Sequence, residues 1–214
     1  VPGEGVIDDP DGMRPFESDG LTAYSQMPLV VVLPETTAQV SEILKWCGDH
    51  GVNVVPRGSG TSLSGGALPV ADGVLLGLAK FNRVLEIDYD NRCAVVQPGV
   101  TNLAISHAVA DRGFYYAPDP SSQIACSIGG NVAENAGGVH CLKYGLTVHN
   151  LLRVRGVTIA GEVVEIGSGA LDSPGYDLLA LVTGSEGMLI VVTEVTVKLV
   201  PKPQLAQCVL AAFD

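Results

Sequence analysis

The residues best suited to chemistry lie in a short stretch, rich in glycine and hydroxyl groups, that runs from Arg57 to Gly66. Glycine lets the backbone approach a ligand closely, and successive backbone N–H groups in such a turn form a concave anion site. Serine and threonine hydroxyls and the Arg57 guanidinium add donors suited to phosphate oxygens. The stretch therefore indicates a phosphate-bearing ligand. Its candidate ligand residues are Arg57, Gly58, Ser59, Gly60, Thr61 and Ser62.

Two familiar phosphate motifs are close to this stretch but do not match it. Gly60 and Gly65 have the glycine spacing of a Walker A loop, but Gly66-Ala67 stands where lysine and a hydroxyl residue are required. The G-x-G at 58–60 lacks the third glycine of a dinucleotide fingerprint. A glycine-rich turn alone is as well explained as a simple turn, so the interpretation depends on a second stretch.

The second stretch, residues 118–138, contains two Gly-Gly pairs, two asparagines and almost no charge. Ile124, Ile128, Val132 and Ala136 follow helical spacing toward a core, which a plain surface loop would not do. Together, the two stretches predict a cofactor with a phosphate portion and an extended apolar portion. The candidate residues here are Pro118, Cys126, Ser127, Gly130, Asn131, Asn135, Gly137 and Gly138.

Three motifs in order carry a family resemblance: P-R-G-x-G-T-x-L-S-G-G-A from Pro56, P-D-P-S-S-x5-I-G-G-N-x3-N-A-G-G-x-H-x2-K-Y-G from Pro118, and T-G-S-E-G from Thr183. They resemble the FAD-linked oxidases with the fold of vanillyl-alcohol oxidase and p-cresol methylhydroxylase. Within that superfamily the chain is similar to the large flavoprotein subunits of bacterial glycolate oxidases. The resemblance covers nearly the whole chain from about Pro28 onward.

The resemblance implies an α+β fold, a PCMH-type FAD-binding domain of two α/β lobes with FAD between them. It implies that the first stretch holds the pyrophosphate and that the second lines the flavin. The segment Gly184–Gly187 would lie near the adenosine end, which adds Glu186 and Val191 to the candidate FAD-binding residues.

Two departures from the family pattern bear on the cofactor. Some members attach FAD covalently through a histidine in the first stretch, and this chain has none between Arg57 and Gly66, so we expect non-covalent FAD. The family usually has glycine where this chain has Ile190, which adds bulk near the adenosine end.

The chain divides into an N-terminal arm, residues 1–27, and an FAD-binding domain, residues 28–214, with a first lobe at 28–98 and a second at 99–214. Thr36 and Gln39 form a capping box that predicts the start of a helix. Further predicted elements are strands at Leu29–Leu33, Met188–Leu199 and Leu205–Phe213, a helix at Thr101–Arg112, and a hairpin of Leu151–Ile159 with Glu162–Ile166.

Composition excludes several classes of protein. The 214 residues include 12 Lys and Arg against 23 Asp and Glu, a net charge of −11, which argues against a nucleic-acid partner. The five cysteines have no zinc or iron–sulfur spacing, so no metal site is predicted. No apolar run is long enough to span a bilayer. We expect a cytoplasmic protein, with any inner-membrane association made through partner subunits.

In the family, the reaction is oxidation of a 2-hydroxy acid to a 2-keto acid, here glycolate to glyoxylate. Alternatives are a D-lactate or D-2-hydroxyglutarate dehydrogenase, or a non-catalytic FAD-binding electron-transfer subunit. The resemblance also implies partner subunits, including an iron–sulfur subunit. The family's catalytic groups belong to a C-terminal substrate domain, which we expect to be absent from these 214 residues. We therefore nominate no catalytic residue, and His140, a lone histidine after the second Gly-Gly pair, is not taken as a base.

Overall fold

The computed structural model describes residues 1, 3–169, 175–205 and 207–213. Its described residues form helices and three sheets, two large ones of four and five strands and a small one in which Phe114–Tyr115 pairs with Val200–Pro201. The strands are β1 (Val6–Ile7), β2 (Val30–Val32), β3 (Asn53–Arg57), β4 (Gly73–Gly77), β5 (Val84–Asp88), β6 (Cys93–Val96), β7 (Phe114–Tyr115), β8 (Leu151–Val157), β9 (Val163–Gly167), β10 (Val191–Lys198) and β11 (Val200–Pro201). The α-helices are α1 (Pro10–Met13), α2 (Thr37–His50), α3 (Asn102–Ala108), α4 (Ile128–Glu134), α5 (Cys141–Tyr144) and α6 (Leu178–Val182).

The first sheet has the strand order β1-β2-β4-β3, with β2, β4 and β3 parallel and β1 antiparallel to β2. Helix α2 connects the parallel strands β2 and β3. Its predicted N-cap is confirmed, because Gln39 N donates to Thr36 Oγ1 (3.3 Å). The reciprocal half of the predicted capping box is shifted by one residue, since Gln39 Oε1 accepts from Glu35 N (2.8 Å) and not from Thr36 N. The helix ends at Gly51, which has a φ of 65°.

The second sheet is antiparallel throughout, in the order β5-β6-β10-β8-β9. One face is apolar and packs on α3 and α4, where Val96, Val154 and Val195 are fully buried. The other face is polar, and there Arg155 Nη1 lies 2.9 Å from Glu194 Oε1. The predicted hairpin is confirmed as β8 and β9.

The change of sheet differs from the lobe boundary predicted at residues 98/99. Strands β5 and β6 pair within the second sheet, with Val96 opposite Val195 of β10, so the change falls between Gly77 and Val84. Such a pairing joins segments about a hundred residues apart, and local sequence patterns do not encode it. The arm at 1–27 also packs on the first lobe, because Met13 is buried against Val31.

Two other sequence predictions need correction. The predicted helix at Thr101–Arg112 is an α-helix only to Ala108, and a 3₁₀ turn follows at Ala110–Arg112. The strand predicted at Leu205–Phe213 is wrong, because the described residues there have no regular structure, while position 206 lies outside the described residues. Val209 and Phe213 are largely exposed, so β-propensity there finds no neighbouring strand. Within the described ranges, no helix is long and apolar enough to cross a bilayer.

A shared apolar core joins the two lobes. Leu44 of α2 and Leu76 of β4 pack in one cluster with Val157 of β8 and Val191 of β10. This cluster packs α2 and β4 of the first lobe against β8 and β10 of the second.

Leu75→Ala should lower the free energy of unfolding by about 2–5 kcal/mol, because Leu75 is fully buried and its removal leaves a cavity in β4. Leu142→Ala is the matched control, since Leu142 is 100% exposed and should change stability by less than about 0.5 kcal/mol. Urea unfolding followed by circular dichroism measures both. Equal losses in the two variants would contradict this assignment of the core.

Candidate cofactor site

A cavity of about 430 Å³ opens between the two lobes. The first glycine-rich stretch forms one wall, and the second stretch with α4 forms the other. The walls meet at Gly58, where an added Cβ would collide with Ser127 Oγ. An adjoining slot of about 50 Å³ shares Gly58, Ser127 and Glu186 with the cavity. The cavity therefore lies on a seam where the backbone of the first lobe touches a side chain of the second.

The N-terminal arm supports the first stretch from behind. Gly65 N donates to Asp19 Oδ2 at 3.1 Å, and Leu21 N donates to Asp19 Oδ1 at 2.9 Å. A Cβ on Gly20 would lie 2.8 Å from the Thr61 carbonyl oxygen, so the arm passes directly against the stretch. The arm thus helps to shape the cavity wall.

Arg57 points into the protein beneath this stretch and is 8% exposed. Its Nη1 donates to the carbonyl oxygens of Ala67 (3.0 Å) and Phe16 (3.4 Å), and its guanidinium lies over the Phe16 ring. Burial lowers the pKa of Arg57, and the nearby Asp19 carboxylate opposes that shift. In this arrangement the guanidinium braces the two ends of the stretch.

The second wall is ordered by the caps of α4. Gly130 N donates to Ser127 Oγ at 3.3 Å at the start of the helix. The helix ends at Asn135, which has a φ of 50° and accepts a hydrogen bond from Val148 N through its Oδ1 at 3.1 Å. Between the caps, Asn131 is 2% exposed, and its Nδ2 has no hydrogen-bond partner among the described residues. A buried donor left unpaired beside a cavity is suited to a ligand acceptor.

Two carboxylates lie at the rim of the cavity. Glu186 has a φ of 52°, and its N donates to the Ala133 carbonyl oxygen at 2.9 Å. Glu134, at the end of α4, accepts a hydrogen bond from Ser62 Oγ at 2.8 Å. No lysine, arginine or histidine stands among the described residues that line the cavity, so its lining is acidic.

Ten of the sequence-predicted residues line the main cavity: Gly58, Ser59, Gly60, Thr61, Ser62, Cys126, Ser127, Gly130, Asn131 and Glu186. Arg57 and Val191 line the adjoining slot. Pro118, Asn135, Gly137 and Gly138 lie outside both linings and are packed within the second stretch. There the Pro118 carbonyl oxygen accepts from Asn102 Nδ2 at 3.0 Å, and a Cβ on Gly138 would collide with Asp119.

Sequence reasoning missed Glu134, Ser64 and Gly66, which also line the cavity. Helical phase could have found Glu134, because positions 130 and 134 share a face of α4. Ser64 and Gly66 continue the first stretch by only a few residues.

Ile190 forms part of the wall of the slot and is 6% exposed. Its Cδ1 lies 2.8 Å from the place that a Cβ on Gly156 would take. The missing side chain of Gly156 thus makes room for the isoleucine, whose bulk narrows the slot.

Cys126 places a buried thiol in the cavity wall, and burial raises the pKa of that thiol. A neutral thiol at pH 7 is a poor nucleophile. Cys126 is therefore a small apolar wall residue here.

The residues present fit FAD, the cofactor predicted from the sequence. Backbone N–H groups and hydroxyls of the first stretch suit a diphosphate, and the glycines leave room for close approach. Asn131 Nδ2 offers an unpaired donor on the second wall, where apolar groups such as Ala136 would suit a flat ring.

Arg57→Ala should lower the free energy of unfolding by about 2 kcal/mol, because it removes buried hydrogen bonds from a charged donor to two carbonyl oxygens. Arg57→Lys keeps the charge but cannot span both carbonyls, so it should recover only part of the loss. Thermal and urea unfolding of the FAD-free protein provide the measurement. Wild-type stability in the alanine variant would show that the brace is unimportant.

Comparison with known proteins identifies a family and relatives for this chain. A family model described as an FAD binding domain matches residues 28–167. The chain is 63% identical, over all its 214 residues, to the glycolate oxidase subunit GlcD of Escherichia coli (strain K12), of which it covers 43%. It is 43% identical to the glycolate oxidase subunit GlcD of Bacillus subtilis (strain 168), over 99% of this chain and 45% of that protein. The chain thus spans less than half the length of these relatives.

A solved structure shares the fold. Alkyldihydroxyacetonephosphate synthase matches with a TM-score of 0.81 at 24% identity, over 94% of this chain and 39% of that one. The expected fold, the family resemblance and the expected cofactor are confirmed. The chain belongs to the FAD binding domain family, and its cofactor is FAD.

Proposed function

We propose that this chain is the FAD-binding portion of a flavin-dependent 2-hydroxy-acid oxidase that converts glycolate to glyoxylate. The cavity between the lobes carries the proposal, because its two walls offer separate places for a diphosphate and a flat ring. The identity of 63% to a glycolate oxidase subunit over the whole chain supports the choice of glycolate.

Each part of FAD has a proposed position. The diphosphate would lie against the first stretch, where Ser59, Thr61 and Ser62 carry hydroxyls beside backbone N–H groups. The flavin would lie along the second wall, within reach of the unpaired Asn131 Nδ2. The adenosine end would lie toward the slot lined by Glu186 and Val191.

FAD, when bound, supplies the acceptor for the two electrons and the proton equivalent that leave the hydroxyl-bearing carbon. The residues of this chain would bind and orient the cofactor, and the lobes meet at Gly58 on one side of the cavity. The substrate carboxylate and hydroxyl need further groups, a cationic clamp and a base. We propose that these lie in the remainder of the full-length protein.

Partner subunits, including an iron–sulfur subunit that takes the electrons, are part of the proposal. The E. coli relative is named a subunit, which supports an assembly of several chains. We also propose a cytoplasmic location, with any contact to the inner membrane made through those partners.

The FAD should be bound without a covalent bond, because no histidine lies in the first stretch. The purified, FAD-loaded chain should be yellow, and acid precipitation should release all of the colour into the supernatant. Flavin retained in the pellet would contradict non-covalent binding. If FAD fluorescence were not quenched when excess FAD is mixed with the folded protein, that result would contradict the proposed site.

A chimera tests whether this chain supports glycolate oxidation. In the E. coli glycolate oxidase subunit, the matching region is replaced by these 214 residues, which align with it over their full length. Anaerobic addition of glycolate should bleach the oxidised flavin absorption of the chimera. The isolated FAD-loaded chain should stay oxidised, because the described cavity lining has no cationic side chain to hold a substrate carboxylate.

Three substrates sharpen the chimera experiment: glycolate, D-lactate and D-2-hydroxyglutarate. Because the substrate domain of the chimera comes from the relative, glycolate should act fastest if this chain supports the same reaction. An FAD-loaded chimera that no substrate bleaches would contradict the proposal. Bleaching of the isolated chain would place the catalytic groups within residues 1–214.

A further inference from the structure

Two serine hydroxyls of the first stretch that could bind an anion already donate to a carboxylate of the protein. Ser62 Oγ donates to Glu134 Oε1 at 2.8 Å, and Ser64 Oγ donates to Glu134 Oε2 at 3.1 Å. The two serine oxygens lie 3.0 Å apart, so they form a compact pair across from the end of α4. One carboxylate thus occupies both hydroxyls at once.

The described residues that line the cavity around this pair include no compensating cation. Glu186 Oε2 lies 2.8 Å, and Glu134 Oε1 3.2 Å, from the place that a Cβ on Gly66 would take, so two carboxylates converge at one point. Arg57, the charged residue of the first stretch, is turned inward and bonded to carbonyl oxygens. A diphosphate entering this region would therefore meet negative charge.

We propose that Glu134 is an internal anion that competes with the diphosphate of FAD for the Ser62 and Ser64 hydroxyls, and thereby sets the affinity for the cofactor. The inference depends on the proposed position of the diphosphate along the first stretch. When FAD binds, the Glu134 carboxylate leaves the serine pair and turns to water. Glu134 is exposed at the rim, so this movement needs no rearrangement of the core.

The same contacts allow an opposite role, in which Glu134 ties the two walls together and favours binding. The two roles predict opposite changes in FAD affinity when the Glu134 carboxylate is removed. A competing anion weakens FAD, so its removal tightens binding. A structural tie prepares the site, so its removal loosens binding.

The experiment compares Glu134→Gln and Glu134→Ala with the wild-type chain and with Glu42→Gln. The control makes the same charge change at an exposed position of α2. Affinities are measured by fluorescence or calorimetric titration for FAD, for ADP, which has the diphosphate without a flavin, and for riboflavin, which has the flavin without phosphate. All variants are first checked for wild-type circular dichroism and thermal unfolding.

Both Glu134 variants should bind FAD and ADP about two- to fivefold more tightly, with alanine at least as effective as glutamine, since exposed charge interactions are weak. Riboflavin affinity and the Glu42→Gln protein should be unchanged. In a Ser62→Ala, Ser64→Ala background, the gain from Glu134→Ala should shrink, because the hydroxyls under competition are gone.

Unchanged or weaker FAD binding by the Glu134 variants, beside a wild-type chain that binds FAD, would overturn this inference and leave the proposed function intact. A gain for riboflavin equal to that for FAD would also overturn it, because the effect would not involve the diphosphate. A wild-type chain that binds no FAD would overturn the proposed function, and this inference with it.

Discussion

The close approach of glycine backbone to side chains on the seam between the lobes is the constraint on which the rest of the site depends. Gly58 meets the Ser127 hydroxyl and Gly187 meets the Pro56 ring, with no space for a Cβ at either glycine. A Cβ at Gly58 would displace the hydroxyl that caps α4, and the packed core around Leu44, which contains residues of both lobes, limits how far the lobes could separate. The width of the cofactor cavity therefore depends on glycine at these two positions.

This geometry also determines on which side of the first stretch the charged side chains lie. Arg57 is used behind the first stretch, bonded to carbonyl oxygens and stacked over Phe16, while Asp19 holds the stretch through Gly65 N. The face toward the cavity is left with neutral donors and two carboxylates. Affinity for an anionic cofactor must then come from the number and direction of N–H and O–H donors, and long-range attraction contributes little to it.

Local features were predictable from the sequence, and long-range ones were not. The N-cap at Thr36 and the glycine at 51 each depend on residues only a few positions away, so the sequence predicts both ends of α2. The two cofactor stretches were visible in composition for the same reason. The pairing of β6 with β10 joins distant segments. The contact of Glu134 with Ser62 spans 72 positions, and the inward turn of Arg57 depends on the arm.

Ile190 and Glu134 act at different ends of the proposed FAD position. Ile190 fills space beside Gly156 and narrows the slot at the proposed adenosine end. An adenine ring there would contact an apolar side chain but would have little room. Glu134 accepts hydrogen bonds from the Ser62 and Ser64 hydroxyls, at the proposed position of the diphosphate. In this proposal, both residues make the free energy of FAD binding less favourable, and neither disturbs the seam that shapes the cavity. In the proposed arrangement, tight holding of FAD then rests on the flavin wall around Asn131, the part of the site with a buried donor still unpaired.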